Sequence, residues 1–189
     1  VWKTAQTLME YLSGIATATA AIVVAARCAN PAIGVACTRK NFPGTRALSI
    51  KAIRAGGAVA HRLGLSETLL VFPDHRVFID KTEWPARLAR LRRQAPEKKL
   101  VVEVAELDDA LAVAGMGADV LQLERFSPEA LAACKAALRA RGLPVLVAPA
   151  GGVTRANAVA YAQDGDDFLI RSAPYFSLPR DVQVRFSRG

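Results

Sequence analysis

Two rhythms of apolar and polar residues alternate along the chain. Leu8, Leu12, Ile15 and Thr19 recur near one face of residues 1–29, which predicts a long helix with Ser13-Gly14 as a weak point. A short apolar run at 33–37 then predicts a strand, and 46–55 a helix that stops at Gly56-Gly57. Leu69–Phe72 and Val77–Ile79 read as short strands around a Pro73-Asp74 turn, and Thr82 as the cap of a helix reaching about Arg93, with Pro85 in its first turn. From there strands are expected at 100–104, 120–123, 145–147 and 168–170, and helices at 107–114, 128–140 and 154–162. This β-α alternation predicts parallel strands joined by right-handed crossovers. The strands are too continuously apolar to be half exposed, so both faces of the sheet should be covered.

Where the polar residues interrupt this pattern decides between an open sheet and a barrel. Arg39-Lys40 follows the first strand, Glu103 lies near the end of 100–104, Glu124 ends 120–123 and Gly151-Gly152 follows 145–147. Four strands thus release chemically active residue types at their C-terminal ends, where an α/β barrel assembles its site. Arg39, Lys40, Arg46, His61 and Arg62 gather several donors within one short stretch. The planar Arg fork fits carboxylate and phosphate, and Lys adds a point charge. A solvated basic loop is the plainer alternative. Glu103 sits among Val101, Val102 and Val104, where a carboxylate is costly unless paired, hydrated or metal-bound. Two strand-end carboxylates beside cations suit Mg²⁺ shared with a diphosphate, the alternative being structural ion pairs. Gly151-Gly152-Val153-Thr154, with Thr154 as helix cap and Asn157 one turn on, can aim bare amides at a phosphate or be a simple tight turn. Ser172, after the last strand, offers a second set of donors. His75, in the Pro73-Asp74 turn, reads as a surface residue.

Composition narrows the classes. With 189 residues and 52% apolar content the chain is one domain with a substantial core. A net charge of +8 suits small polyanions. Aromatics are only 6% and the cations are dispersed, so nucleic acid is not expected as a partner. Cys28, Cys37 and Cys134 are odd in number and unpatterned, which fits a reducing cytoplasm rather than a zinc or disulfide framework. No Walker loop and no Gly-x-Ser-x-Gly occurs. The Ala-rich stretch 15–29 is short for a membrane span and is broken by Thr17 and Thr19, so neither a signal peptide nor membrane insertion is expected. Val1-Trp2-Lys3 already lies inside the helical pattern with no capping residue, which suggests that a further N-terminal region precedes it.

The motifs, taken together and in order, resemble the quinolinate phosphoribosyltransferase (nicotinate-nucleotide pyrophosphorylase) family. The resemblance rests on Ser13–Thr17, Thr38-Arg39-Lys40 with Pro43-Gly44 and Arg46, Gly56-Gly57, His61-Arg62-Leu63-Gly64-Leu65, Val102-Glu103-Val104, Phe126–Glu129 and Gly151-Gly152-Val153. Trp2–Glu10, Lys40–Arg46 and the tail Ser172–Tyr175 resemble the ModD branch of that family, the pyrophosphorylases also called molybdenum transport protein. The resemblance implies an open TIM-like α/β barrel of about six to seven strands over residues 30–189, with residues 1–29 linking to an N-terminal α/β sandwich domain absent from this chain. It implies a homodimer in which one subunit's N-terminal domain closes the other's barrel. It also implies transfer of phosphoribose from phosphoribosyl pyrophosphate, on Mg²⁺, to a carboxylated heterocycle, with release of pyrophosphate and carbon dioxide.

Carried over by position, Arg39, His61 and Arg62 would hold substrate carboxylates. Lys40, Glu103 and Glu124 would serve phosphoribosyl pyrophosphate and Mg²⁺, and Gly151, Gly152 and Ser172 the phosphate. Four positions depart from the pattern. Lys3 replaces a substrate Arg, Phe72 a substrate Lys, Glu124 an Asp and Ala150 a Ser. Each lost charge-assisted partner costs roughly 1.5–3 kcal/mol, so the dicarboxylate half of the site is weakened while the phosphoribosyl half is retained. A non-catalytic oxyanion- or nucleotide-binding protein associated with molybdate transport is the alternative; it leaves the two carboxylates without a purpose.

Overall fold

The computed structural model describes residues 1–64, 66–163 and 168–187; Leu65 of the His61–Leu65 motif lies outside them. A 28-residue helix α1 (Trp2–Ala29) precedes β1 (Gly34–Cys37), α2 (Arg46–Ala55) and β2 (Val59–Ala60). β3 (Leu69–Val71), the short α3 (Pro73–Arg76) and α4 (Trp84–Gln94) lead into β4 (Leu100–Val104), α5 (Leu107–Gly115), β5 (Val120–Glu124) and α6 (Pro128–Ala140). β6 (Leu146–Ala150), α7 (Ala158–Ala162), β7 (Phe168–Arg171) and a 3₁₀ turn (Ala173–Phe176) complete it. All seven strands are parallel, in the order β2-β1-β7-β6-β5-β4-β3, and curl into a half-barrel. The open barrel expected from the motifs is therefore present. Its seam lies between β2 and β3. The connection there, residues 61–68, contains no helix among its described residues and is shorter than the dozen or so that a parallel crossover needs.

Alternation along the strands builds two apolar layers. Ile33, Val35, Leu100, Val102, Val104, Leu121, Leu123, Val147 and Leu169 face the helices and form the main core. The alternate residues Val101, Val120, Ala148, Ala150 and Ile170 form a smaller cluster on the concave side. Glu103 shares its register level with Gln122, and Glu124 with Ala150, so these polar residues continue the concave face towards the strand C-termini. Small Ala148 and Ala150 leave the space above them unfilled.

α1 is long and apolar enough to cross a bilayer by length and composition alone, and is the one such helix among the described residues. In the structure it packs on α2 and α7 through Ile15, Ile22, Val23 and Ala26, with the buried Thr19 hydroxyl donating to the Ile15 carbonyl at 2.7 Å. Ser13-Gly14 does not weaken it. The C-terminal tail crosses the helix at Gly14, where a Cβ would run into the Leu178 carbonyl. Further along, Gln6 Nε2 donates to the Val182 carbonyl at 2.6 Å, Arg180 N–H to the Glu10 carbonyl at 2.9 Å, and Trp2 meets Phe186 edge-on at 5.3 Å.

Several local expectations need correction. Residues 77–79 are not a strand. Pro73 presets a helical turn, the Phe72 N–H donates to His75 Nδ1 at 3.0 Å, and Val77 N–H closes onto the Pro73 carbonyl at 3.2 Å, leaving Val77 and Phe78 exposed. Thr82 does not cap α4. Its N–H and hydroxyl both donate to Asp80, and the helix starts at Trp84 with Pro85 in its first turn. β6 extends to Ala150 rather than ending at Val147. Pro149 lies inside it and lacks a donor, and among the described residues β6 is in register with β7 at Ala150–Ile170. The regular part of α7 begins at Ala158. Before it, the Asn157 N–H donates to the Thr154 hydroxyl at 3.3 Å and the Thr154 N–H returns a bond to Asn157 Oδ1, so the capping pair precedes rather than starts the helix. β2, two residues long, was not expected from the pattern at all.

Candidate active site

The strand C-termini surround a cavity of about 810 Å³. β1 delivers Thr38, Arg39 and Lys40; the loop after β2 delivers His61 and Arg62; β3 delivers Leu70 and Phe72. β4 and β5 supply Glu103, Gln122 and Glu124, β6 supplies Ala150, Gly151 and Gly152, and β7 supplies Ile170, Arg171 and Ser172. Every candidate residue read from the sequence lines this one space except Lys3. Lys3 lies on the exposed start of α1 with its ammonium 4.4 Å over the Trp2 ring, outside the cavity.

The basic side is built on backbone ties between strands. Thr38 N–H donates to the Arg171 carbonyl at 2.7 Å and His61 N–H to the Cys37 carbonyl at 2.8 Å, which hold both basic segments to the β1 end. The Tyr175 hydroxyl donates to the Thr38 carbonyl at 2.9 Å, fixing the Arg39-Lys40 turn from the far side. Arg39 and Lys40 are exposed at the rim, and Arg62 is buried. Burial, and then the adjacent Arg62 and Arg39, lower the His61 pKa from its ordinary 6.5, so its imidazole is neutral near pH 7 and keeps one N–H to donate. Burial first and Arg39 second also lower the pKa of Arg62.

The acidic side is a strained carboxylate pair. Burial raises the Glu103 pKa, the nearby Glu124 raises it further, and hydrogen bonding to Gln122 and the charge of Lys40 act in the opposite direction. Gln122 Nε2 donates to Glu103 Oε2 from the neighbouring strand position. Glu124 has Arg125 Nε at 3.5 Å from its Oε1. Arg125 is the one described non-glycine residue with positive φ (57°), and its N–H is held by the Ala150 carbonyl at 2.8 Å. On the other flank, Gly151 has φ +70°, and a Cβ there would stand 2.6 Å from Glu124 Oε1. The glycine turn and the carboxylate are thus pressed together, and Asn157 Nδ2 locks the turn by donating to the Gly152 carbonyl at 3.0 Å.

No group of three or more His, Cys, Asp or Glu stands ready for a metal among the described residues. The pair Glu103 and Glu124 does fit Mg²⁺ completed by phosphate oxygens, because Mg²⁺ takes one or two carboxylates with substrate phosphate. Their mutual repulsion is the charge that such a cation would relieve.

Two residues of the cavity escaped the sequence reading. Gln122 is buried within an apolar run, and its Oε1 has no hydrogen-bond partner. Arg171 directly follows the apolar Phe168–Ile170 and is buried, with Nη1 unpartnered. For Arg171 the signal was available: a cation at the end of an apolar strand, the same pattern that singled out Arg39-Lys40.

The molecule is a parallel α/β half-barrel that gathers cations, a glycine turn and a carboxylate pair at its strand ends. Comparison with known proteins gives the family. Residues 15–185 match the quinolinate phosphoribosyl transferase C-terminal domain. A "Putative pyrophosphorylase ModD" of Rhodobacter capsulatus is 53% identical over 169 residues, covering 88% of this chain and 64% of the relative. A "Probable nicotinate-nucleotide pyrophosphorylase [carboxylating]" of Archaeoglobus fulgidus is 38% identical over 174 residues, covering 88% of this chain and 66% of the relative. The crystal structure of NadC from Streptococcus pyogenes superposes with a TM-score of 0.82 at 26% identity, over 95% of this chain and 61% of that one. The chain belongs to the quinolinate phosphoribosyltransferase family and spans about two thirds of the length of these relatives.

Proposed function

We propose that the protein carrying this chain transfers phosphoribose from phosphoribosyl pyrophosphate to a ring nitrogen of a carboxylated, quinolinate-like heterocycle, releasing pyrophosphate and, where a carboxyl group adjoins the new bond, carbon dioxide. The observation that carries this reading is the opposition, across one cavity, of a basic crescent (Arg39, Lys40, His61, Arg62) and a carboxylate pair (Glu103, Glu124) beside a glycine turn. A simple anion binder would gain nothing from the carboxylates. The Arg39 and Arg62 forks with the neutral His61 N–H suit the acid groups of the acceptor and orient its ring nitrogen towards the ribose. Glu103 and Glu124 are placed to hold Mg²⁺, which when bound supplies positive charge against the departing diphosphate. Lys40, near enough for its charge to act on Glu103, adds positive charge from the basic crescent. Gly151 and Gly152, both at φ +70°, and Ser172 supply donors for phosphate.

Phe72 gives the acceptor side an apolar wall where the family pattern has a cation, and this favours an acceptor with one carboxylate fewer, or a more apolar ring, than quinolinate. A second copy covering the mouth, as a homodimer, belongs to the same reading. An assay of pyrophosphate release from phosphoribosyl pyrophosphate with a panel of heterocyclic acids tests it. One acid should support Mg²⁺-dependent turnover that Glu103→Ala abolishes. Tight acid binding with no pyrophosphate from any acceptor would favour the binding-protein alternative.

A further inference from the structure

Glu103 is a partly buried carboxylate that forms no ion pair among the described residues. Its hydrogen-bond partner is Gln122, whose Nε2 donates to Glu103 Oε2 from the matching position on β5. Folding alone gives no reason for an amide there. Gln122 is 6% exposed, and its concave layer is otherwise made of Val101, Val120, Ala148, Ala150 and Ile170. Its Oε1 is sealed from solvent without a partner. Burying an amide with its acceptor unmet is unfavourable, and a methionine of similar length would fill the same volume without that penalty. The group that the amide does serve is the Glu103 carboxylate.

What it does there follows from its lack of charge. A lysine or arginine at this position would hold Glu103 but would also cancel its negative charge in an ion pair. A neutral N–H fixes one carboxylate oxygen and leaves the charge in place, and the bond itself favours the ionised form of Glu103. Lys40 acts on Glu103 as a more distant charge, outside ion-pair reach. Glu124 lies two residues beyond Gln122 on the same strand and the same concave face. β5 thus carries one carboxylate of the pair and holds the other. We infer that Gln122 is a positioning residue, which keeps the Glu103 carboxylate in one orientation beside Glu124 without neutralising it. This rests on the reading of Glu103 as a residue for Mg²⁺ and diphosphate, and adds to it the side chain that sets its direction.

Calorimetric titration of the whole chain with pyrophosphate in the presence of Mg²⁺ tests this without requiring turnover. The unaltered chain should bind, and Glu103→Gln should weaken binding while Glu124 remains. Gln122→Met should weaken it about ten- to a hundredfold, the usual effect of removing a group that orients a metal-binding side chain. In the Glu103→Gln background, Gln122→Met should have no further effect, because no carboxylate is left to orient. A merely structural Gln122 would instead weaken binding by the same factor in both backgrounds. Gln122→Leu serves for the same cycle if the Met form does not fold. The inference is overturned, with the role of Glu103 intact, if Glu103→Gln weakens binding but Gln122→Met does not, or if the two substitutions act independently. Binding that is absent from the unaltered chain, or that Glu103→Gln leaves unchanged, removes the role of Glu103 and this inference with it.

Discussion

At the scale of single residues, the site holds charges that the fold alone would not choose. Burial and Glu124 raise the Glu103 pKa, so its ionised form weakens the folded state once the pH passes the ordinary glutamate value of 4.5. Glu103→Gln should therefore raise the melting temperature at pH 7–8. The gain should shrink as the pH falls and vanish below about 4.5, where the folded and unfolded carboxyls are both protonated. The same variant should lose Mg²⁺-dependent turnover. A pH series of melting curves checks the sign; equal destabilisation at every pH would contradict it. Phe72 makes the complementary case. It lines the cavity and Lys3 does not, so Phe72→Lys should by itself improve use of quinolinate, by about tenfold or more if one charge-assisted bond is regained. Lys3→Arg should leave the acceptor preference of an isolated subunit unchanged. Initial rates with quinolinate for each variant separate the two. Most of these residues were legible in the sequence because a charge that ends an apolar strand stands out. Gln122 was not, because a neutral amide inside Leu121-Gln122-Leu123 carries no charge signal, and its meaning depends on Glu103 being its cross-strand neighbour.

At the scale of elements, the strands were readable because parallel, doubly covered strands are continuous apolar runs. The errors fall where the chain's own chemistry overrides that signal. Pro73 and His75 turned an apolar stretch into a helical turn, and Pro149 hid the second half of a strand that runs on to Ala150. Ser13-Gly14 misled in the opposite direction. Helix propensity marks Gly as a defect, at roughly 1 kcal/mol against Ala, yet here Gly14 is what lets the tail lie against α1. Gly14→Val should accordingly destabilise the chain despite the better intrinsic helix former, by about 1–3 kcal/mol, as an overpacked contact does. Limited proteolysis should then cut the tail near Leu178 sooner than in the unaltered chain. A variant with an unchanged melting temperature and cleavage pattern would show that the tail does not need this crossing point.

At the scale of the whole molecule, the ring of strands is interrupted once, between two edge strands of two and three residues. Edges this short offer little template for another chain. The interruption also divides the cavity's chemistry: Arg39, Lys40, His61 and Arg62 belong to the β1–β2 bank, while Phe72, Glu103 and Glu124 belong to the β3–β5 bank. A closed barrel would hold the two banks at a fixed separation by a ladder of hydrogen bonds. Here no ladder joins β2 to β3 directly among the described residues, and the sheet connects the banks the long way round. Under the proposed function, a substrate held by cations on one bank and, through Mg²⁺, by the carboxylates on the other acts as a clasp. Its binding should slow amide hydrogen exchange at 59–60 and 69–71, the free margins of the sheet, far more than at the central β5 and β6. Exchange at the margins that is indifferent to ligand would mean the two banks do not breathe. If they do, the missing strand contact lets the two banks draw together only once a ligand is between them.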